Sequence, residues 1–223
     1  MIKTNLLKLT LKNQATNPVI QIQGIGETKC CINSERHRDV CGSSDCMWPC
    51  QFEPHGPFGG DRAFFHETSN ANSLNVRQAC AVESLALINP NLTINLLMTG
   101  EIDFRTDTMR ALSKYGNVRI SRILLGEYFS STPLEHWYFC TTWNYGPYAV
   151  SHLSDALRFL SLYKYGGYYF DLDVIMLQPV TKYRNFVAAD VGFEHMAAGA
   201  IHVDYQSPII LMAVEEFRTT YKY

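Results

Sequence analysis

The chain has 223 residues, 47% of them hydrophobic and 18% charged, with 19 Lys plus Arg against 21 Asp plus Glu. That balance can bury a core and excludes wholesale disorder. The net charge of -2 lacks the basic excess of a general nucleic-acid binder.

In chain order, residues 1–61 read as an irregular segment. Gly, Pro, Cys and polar residues crowd Cys41 to Asp61 without sustained periodicity. From residue 62 to 223 the pattern changes to an alternation of strands and helices. Ala63 to His66 predicts a strand. Asn75 to Ile88 predicts a helix with Val76, Ala79/Cys80, Glu83 and Ala86/Leu87 at 3–4 spacing, ended by Asn89-Pro90. Leu92 to Met98 predicts a buried strand, Phe104 to Tyr115 a helix, and Val118 to Leu125 another strand. Pro147 opens a helix that runs to Tyr165, with Ser151, Ser154/Asp155 and Arg158 on a face apart from the apolar stripe. Gly166-Gly167 stops it. Tyr168-Tyr169-Phe170 predicts a strand, carrying Asp171-Leu172-Asp173 at its end and continuing extended to Pro179. Short strands follow at Phe186 to Val191 and Ala200 to Val203. The last helix runs from Pro208 to about Phe217, with Ser207 as its N-cap. This alternation predicts an α/β sheet covered by helices.

No run approaches the ~18–20 apolar residues that span a bilayer. The longest aliphatic run near the C-terminus is only Ile209 to Val214, and Met1 to Gln23 shows no secretory leader pattern. Of seven cysteines, Cys30, Cys31, Cys41, Cys46 and Cys50 cluster, while Cys80 and Cys140 stand apart. Zinc, with His37 and His55 as further ligands, is one reading of the cluster. The absence of a CxxC pair argues for disulfides or spare thiols instead. Asn91-Leu92-Thr93 is a glycosylation sequon.

Chemistry concentrates at Asp171 and Asp173. Two carboxylates at i and i+2 of a strand point the same way and repel each other unless a cation lies between them. Hard ions such as Mg²⁺ and Mn²⁺ take carboxylate oxygens and share the phosphate oxygens of a substrate. The spacing therefore points to a metal–diphosphate site at a strand terminus, where open α/β sheets place ligands. A lone DxD is weak evidence. Here a polar helix face with Asp155 and Arg158 leads through Gly-Gly and an aromatic strand into the paired Asp, and that order is more specific.

The segment Ser154-Asp155-Ala156-Leu157-Arg158, followed by Lys164 through Asp173, resembles the sugar-binding DxD region of retaining glycosyltransferases. More narrowly, it resembles the α-1,4-glycosyltransferase family of the lactosylceramide 4-α-galactosyltransferase type. Phe64 to Ser69, Arg77 to Ser84 with Asn89-Pro90, Thr132-Pro133-Leu134 and Trp137-Tyr138 extend the resemblance over about residues 62 to 218. It implies a GT-A-like fold, with a Rossmann-type nucleotide-binding sheet flanked by helices and incomplete at the C-terminus. The implied activity is that of a hexosyltransferase, moving galactose or N-acetylgalactosamine in α-1,4 linkage from a UDP-sugar to a glycolipid such as lactosylceramide. Mn²⁺, or Mg²⁺, is the implied metal, held by Asp171 and Asp173. Ser154, Asp155, Arg158, Gly166, Gly167 and Tyr168 are implied to line the nucleotide-sugar site with them, and no protein nucleophile is implied. The implied partners are a UDP-sugar donor and a glycolipid or glycan acceptor, with no nucleic acid, and the implied location is the Golgi lumen at the membrane. A GDP-mannose-dependent mannosyltransferase and an inactive sugar-nucleotide-binding remnant are the alternatives.

The chain departs from that family at three points. No anchor is visible, Ala198 stands before Gly199 where relatives commonly have Asn, and the chain stops at Tyr223 where relatives continue. Asp190, Glu194 and Asp204 follow the site and read as surface carboxylates.

Overall fold

A computed structural model describes residues 61–189 and 196–221. Residues 1–60, which include the clustered cysteines, lie outside the described residues, as do Asp190 and Glu194.

β1 (Arg62–Glu67) is buried along its whole length, as a central strand covered on both faces must be. Its Phe64 and Phe65 point to opposite faces and enter two separate cores. α1 (Val76–Ile88) starts at a reciprocal cap: the Asn75 side chain accepts from Gln78 N–H, and the Gln78 side chain accepts from Asn75 N–H. Its buried side is Ala79, Ala81, Val82, Leu85 and Ala86. Val76, Cys80 and Leu87, placed on the apolar stripe by the spacing, are exposed. Tertiary contact with β2 selects the neighbouring face, which the small alanines let approach closely.

β2 (Thr93–Met98) and β3 (Val118–Arg122) follow, joined by α2 (Asp107–Leu112). α2 is shorter than the predicted 104–115; at its start, Asp103 accepts from the Arg105 backbone N–H and guanidinium and holds residues 103–105 in a turn. Two short helices not expected from the sequence, α3 (Leu125–Phe129) and α4 (Glu135–Cys140), lead to α5 (Ala149–Tyr165). Then come β4 (Gly167–Phe170), β5 (Phe186–Ala189), β6 (Met196–Val203) and α6 (Pro208–Thr220).

The six strands form one sheet in the order β3-β2-β1-β4-β6-β5. β1 pairs in parallel with both β2 and β4, while β6 runs antiparallel to β4 and β5. α1 and α2 cover one face, around Phe65, Leu85, Met109 and Phe170. α3 to α6 cover the other, around Phe64, Trp137, Leu157 and Tyr169. The chain winds outward from β1 to β3, then crosses to the other side of β1 to form β4. The crevice at the carboxyl ends of β1 and β4 is the topological switch point, where open α/β sheets bind ligands.

The DxD residues are not on a strand. β4 ends at Phe170, and Asp171-Leu172-Asp173 forms a turn just beyond it. The stretch to Pro179 makes no ladder pairs. It is held by side chains of and just beyond α1: Met176 N–H donates to Ser84 Oγ at 2.9 Å, and Val180 N–H donates to Asn89 Oδ1 at 2.9 Å.

Candidate functional site

Three elements converge on the switch-point crevice. The first is the loop after β1. Glu67 is buried and accepts from Ser69 N–H at 3.0 Å, from the Ser69 hydroxyl, and from Ala71 N–H at 3.1 Å. These bonds commit its carboxylate to shaping the loop. Gly100 lets the loop lie flat, since a Cβ there would meet Ala71 O at 2.4 Å.

The second element is the first half of α5. Thr68 Oγ1 donates to Val150 O at 3.2 Å, which ties the helix start to the β1 loop. One and two turns further on, Asp155 and Arg158 face the crevice. Arg158 is only 9% exposed at its side chain, yet it carries a charge. It is paired with two carboxylates: Nη1 lies 3.1 Å from Asp155 Oδ1, and Nη2 lies 3.1 Å from Asp171 Oδ1, while its buried Nε has no hydrogen-bond partner among the described residues. A buried guanidinium needs such pairing, and its planar fork suits two acceptors at once. Burial pushes the Asp155 carboxyl above its usual range, and the charge of Asp171 pushes the same way while Arg158 opposes both.

The third element is the end of β4. Tyr169 is buried, and its hydroxyl donates to Asp171 Oδ1 at 2.6 Å. The Ser154 side chain lies beside the same hydroxyl. The Tyr169 ring lies 4.9 Å from the Arg158 Cζ and 5.2 Å from the His66 ring. Asp171 N–H donates to Gly199 O at 2.8 Å, which brings the start of β6 alongside. Asp173 is exposed, and among the described residues its nearest cation is Arg77 of α1 at 4.0 Å.

Beneath the crevice His66 hydrogen-bonds with Ser161, and Ser161 with Tyr128, at 3.0 and 2.8 Å. The other His66 ring nitrogen, Nδ1, has no hydrogen-bond partner among the described residues. Burial and then the Arg158 charge hold His66 down to about 3, so it is neutral at any physiological pH.

Of the residues singled out from sequence, Ser154, Asp155, Arg158, Asp171 and Asp173 meet at this crevice. Gly166, Gly167 and Tyr168 do not. The two glycines sit at the opposite end of β4, both at positive φ, and their missing side chains make room for Tyr205 and Arg62 backbone. Tyr168 faces the α1 side by strand alternation, with its hydroxyl donating to Val180 O and Tyr183 O. Asp204 also lies at that far end, bound to Asn185. Asn91 is exposed in the turn before β2. Of the two cysteines among the described residues, Cys140 is disulfide-bonded and Cys80 is free and exposed.

Sequence reasoning missed Tyr169, His66 and Gly199 as site residues. Alternation marks one of Tyr168 and Tyr169 as facing the helix that carries Arg158, but nothing local says which. Gly199 becomes meaningful only through its neighbour: a Cβ there would lie 2.9 Å from Asp171 Oδ2.

As a cation site, the chemistry of the donors fits. Asp171 and Asp173 offer only carboxylate oxygens, as Mg²⁺ and Mn²⁺ prefer. Among the described residues no three His, Cys, Asp or Glu side chains gather into a complete cage. Two carboxylates alone suit an ion that shares substrate phosphates and water.

Residues 75–190 match the family described as glycosyltransferase sugar-binding region containing DXD motif. Human lactosylceramide 4-alpha-galactosyltransferase is 35% identical over 136 residues, 59% of this chain and 38% of that protein. Human alpha-1,4-N-acetylglucosaminyltransferase is 33% identical over 132 residues, 56% of this chain and 38% of that protein. The chain thus spans well under half the length of these curated relatives. Among solved structures, the PaToxG glycosyltransferase superposes with a TM-score of 0.53 at 16% identity, covering 74% of this chain and 62% of that one. That likeness bears on the fold, which is the expected GT-A-like α/β sheet flanked by helices. The family match covers more than half of the chain, from the cap of α1 past the DxD turn, and the chain belongs to the DXD-containing glycosyltransferase family, with α-1,4-glycosyltransferases among its relatives.

Proposed function

We propose that this chain is the donor-binding part of a retaining hexosyltransferase that moves galactose in α-1,4 linkage from a UDP-sugar to a glycolipid or glycan acceptor. The carrying observation is the meeting of Asp155, Arg158 and Asp171 at the switch point, with Asp173 at its rim. N-acetylgalactosamine and N-acetylglucosamine are the neighbouring donors, the second favoured by the name of one relative.

Asp171 and Asp173 would hold Mn²⁺ or Mg²⁺ beside the diphosphate. When bound, such an ion neutralises the charge that builds on the leaving diphosphate. Asp155, whose side chain is partly exposed, accepts hydrogen bonds from donor-sugar or ribose hydroxyls. Arg158 keeps the two carboxylates at a fixed spacing and offsets their repulsion. Glu67 is no nucleophile, because its oxygens are engaged by the loop. A front-face route that retains configuration needs none. An oxidising lumen such as the Golgi agrees with the bonded Cys140 and the exposed sequon at Asn91. Among the described residues no helix is long and apolar enough to cross a membrane. Membrane contact is proposed through a lipid-linked acceptor. Residues 62–223 form the proposed glycosyltransferase domain.

Donor hydrolysis measured across a panel of nucleotide sugars, with and without Mn²⁺, tests this reading. Turnover of UDP-galactose that requires Mn²⁺ supports it. Protection from thermal unfolding by GDP but not UDP would favour a mannosyltransferase, and Mn²⁺-dependent UDP binding without turnover would leave a binding remnant.

A further inference from the structure

Asp171 presents its two oxygens unequally. Oδ1 accepts from the Tyr169 hydroxyl at 2.6 Å and from Arg158 Nη2 at 3.1 Å. The Tyr169 hydroxyl cannot swing away: the residue is 1% exposed, and its ring packs against the His66 ring and the Arg158 guanidinium. The Asp171 backbone is pinned by its bond to Gly199 O at 2.8 Å. Oδ2 lies over Gly199, 2.9 Å from where any other residue would carry its Cβ. About a third of the side chain, 34%, remains exposed.

We infer that Tyr169 is a positioning residue that, together with Arg158, occupies Oδ1 and leaves Oδ2 as the single oxygen Asp171 offers a divalent cation. The inference rests on reading Asp171 as a metal ligand. Its consequence is selectivity. A one-oxygen carboxylate suits the tight octahedral shell of Mg²⁺ or Mn²⁺, whereas Ca²⁺ prefers more oxygens and often takes a carboxylate by both. A two-oxygen grip at Asp171 would have to displace Tyr169 and Arg158 together. Gly199 belongs to the same device, because it keeps the remaining oxygen uncovered.

The test is Mn²⁺ titration followed by electron paramagnetic resonance on the full chain with saturating UDP, repeated with Ca²⁺ as competitor. Tyr169→Phe removes only the hydroxyl and keeps the ring. Loss of a partner that orients a metal ligand typically costs about 10- to 100-fold in metal affinity. The expected result is a loss of about 10-fold for Mn²⁺ with little change for Ca²⁺. UDP binding in EDTA should stay at the wild-type level. Unchanged Mn²⁺ affinity, or an equal loss for both ions, overturns the inference. Absence of Mn²⁺ binding in the wild type overturns the metal-site reading itself. If Tyr169→Phe folds poorly, Gly199→Ala carries the test: its Cβ would press on Oδ2, so Mn²⁺ affinity should fall, and an unchanged value overturns the proposal.

Discussion

At the scale of single residues, the site separates carboxylates that look alike in the sequence. Asp171 is held by Arg158, Tyr169 and the β6 backbone, whereas Asp173 stands at the rim with one distant cation. An exposed pair such as Asp173 with Arg77 contributes at most about 1 kcal/mol. Asp173→Asn should therefore leave the melting temperature close to wild type while abolishing Mn²⁺-dependent protection by UDP, both readable in one thermal-shift series. Protection equal to wild type would remove Asp173 from the metal site. That acidic residues at i and i+2 follow an aromatic strand was legible in the sequence. Their division of labour was not, because it depends on which of two adjacent tyrosines faces α5.

At the scale of elements, the segment after the DxD turn is positioned by α1 rather than by a ladder. Asn89 shows how. Its side-chain amide donates to Leu85 O at 3.1 Å while its Oδ1 accepts from Val180 N–H at 2.9 Å. Asn89→Ala would leave the buried Val180 N–H unpaired, at a cost of about 2 kcal/mol. Urea unfolding should show that loss, with a weaker grip on Mn²⁺–UDP as residues 171–180 loosen; a loss below about 0.5 kcal/mol would contradict it. The sequence marks the Asn89-Pro90 stop correctly but not this second use of Asn89, because its partner lies 91 positions away. The long elements α1 and α5 were readable from their 3–4 periodicity. The helices α3 and α4, of 5 and 6 residues, were not, since so few residues carry no resolvable period.

At the scale of the whole molecule, a buried neutral histidine under the site links stability to pH. His66 is held down to about 3, whereas in the unfolded chain it titrates at its ordinary 6.5. Between those values the unfolded state binds the extra proton, so stability is fully present above about pH 6.5 and falls as pH drops below it. The slope is about 1.4 kcal/mol per pH unit, so the change from pH 6.5 to 5 is about 2 kcal/mol. Denaturant melts at pH 7 and pH 5 should show that His66→Phe loses less stability on acidification than the wild type by about this amount. Equal losses would mean that His66 protonates freely in the native state. The sequence by itself determined the fold class, the strand–helix alternation and the pairing of acidic residues after an aromatic strand, because hydrophobic periodicity and short-range spacing are local properties. The tertiary structure alone decided which residues share the crevice. The crossing from β3 to β4 sets the Arg158 face of α5 beside the end of β4. The same crossing sends Gly166, Gly167 and Tyr168 to other tasks, for contact between distant segments depends on sheet order and strand facing, and neither is written in any local pattern.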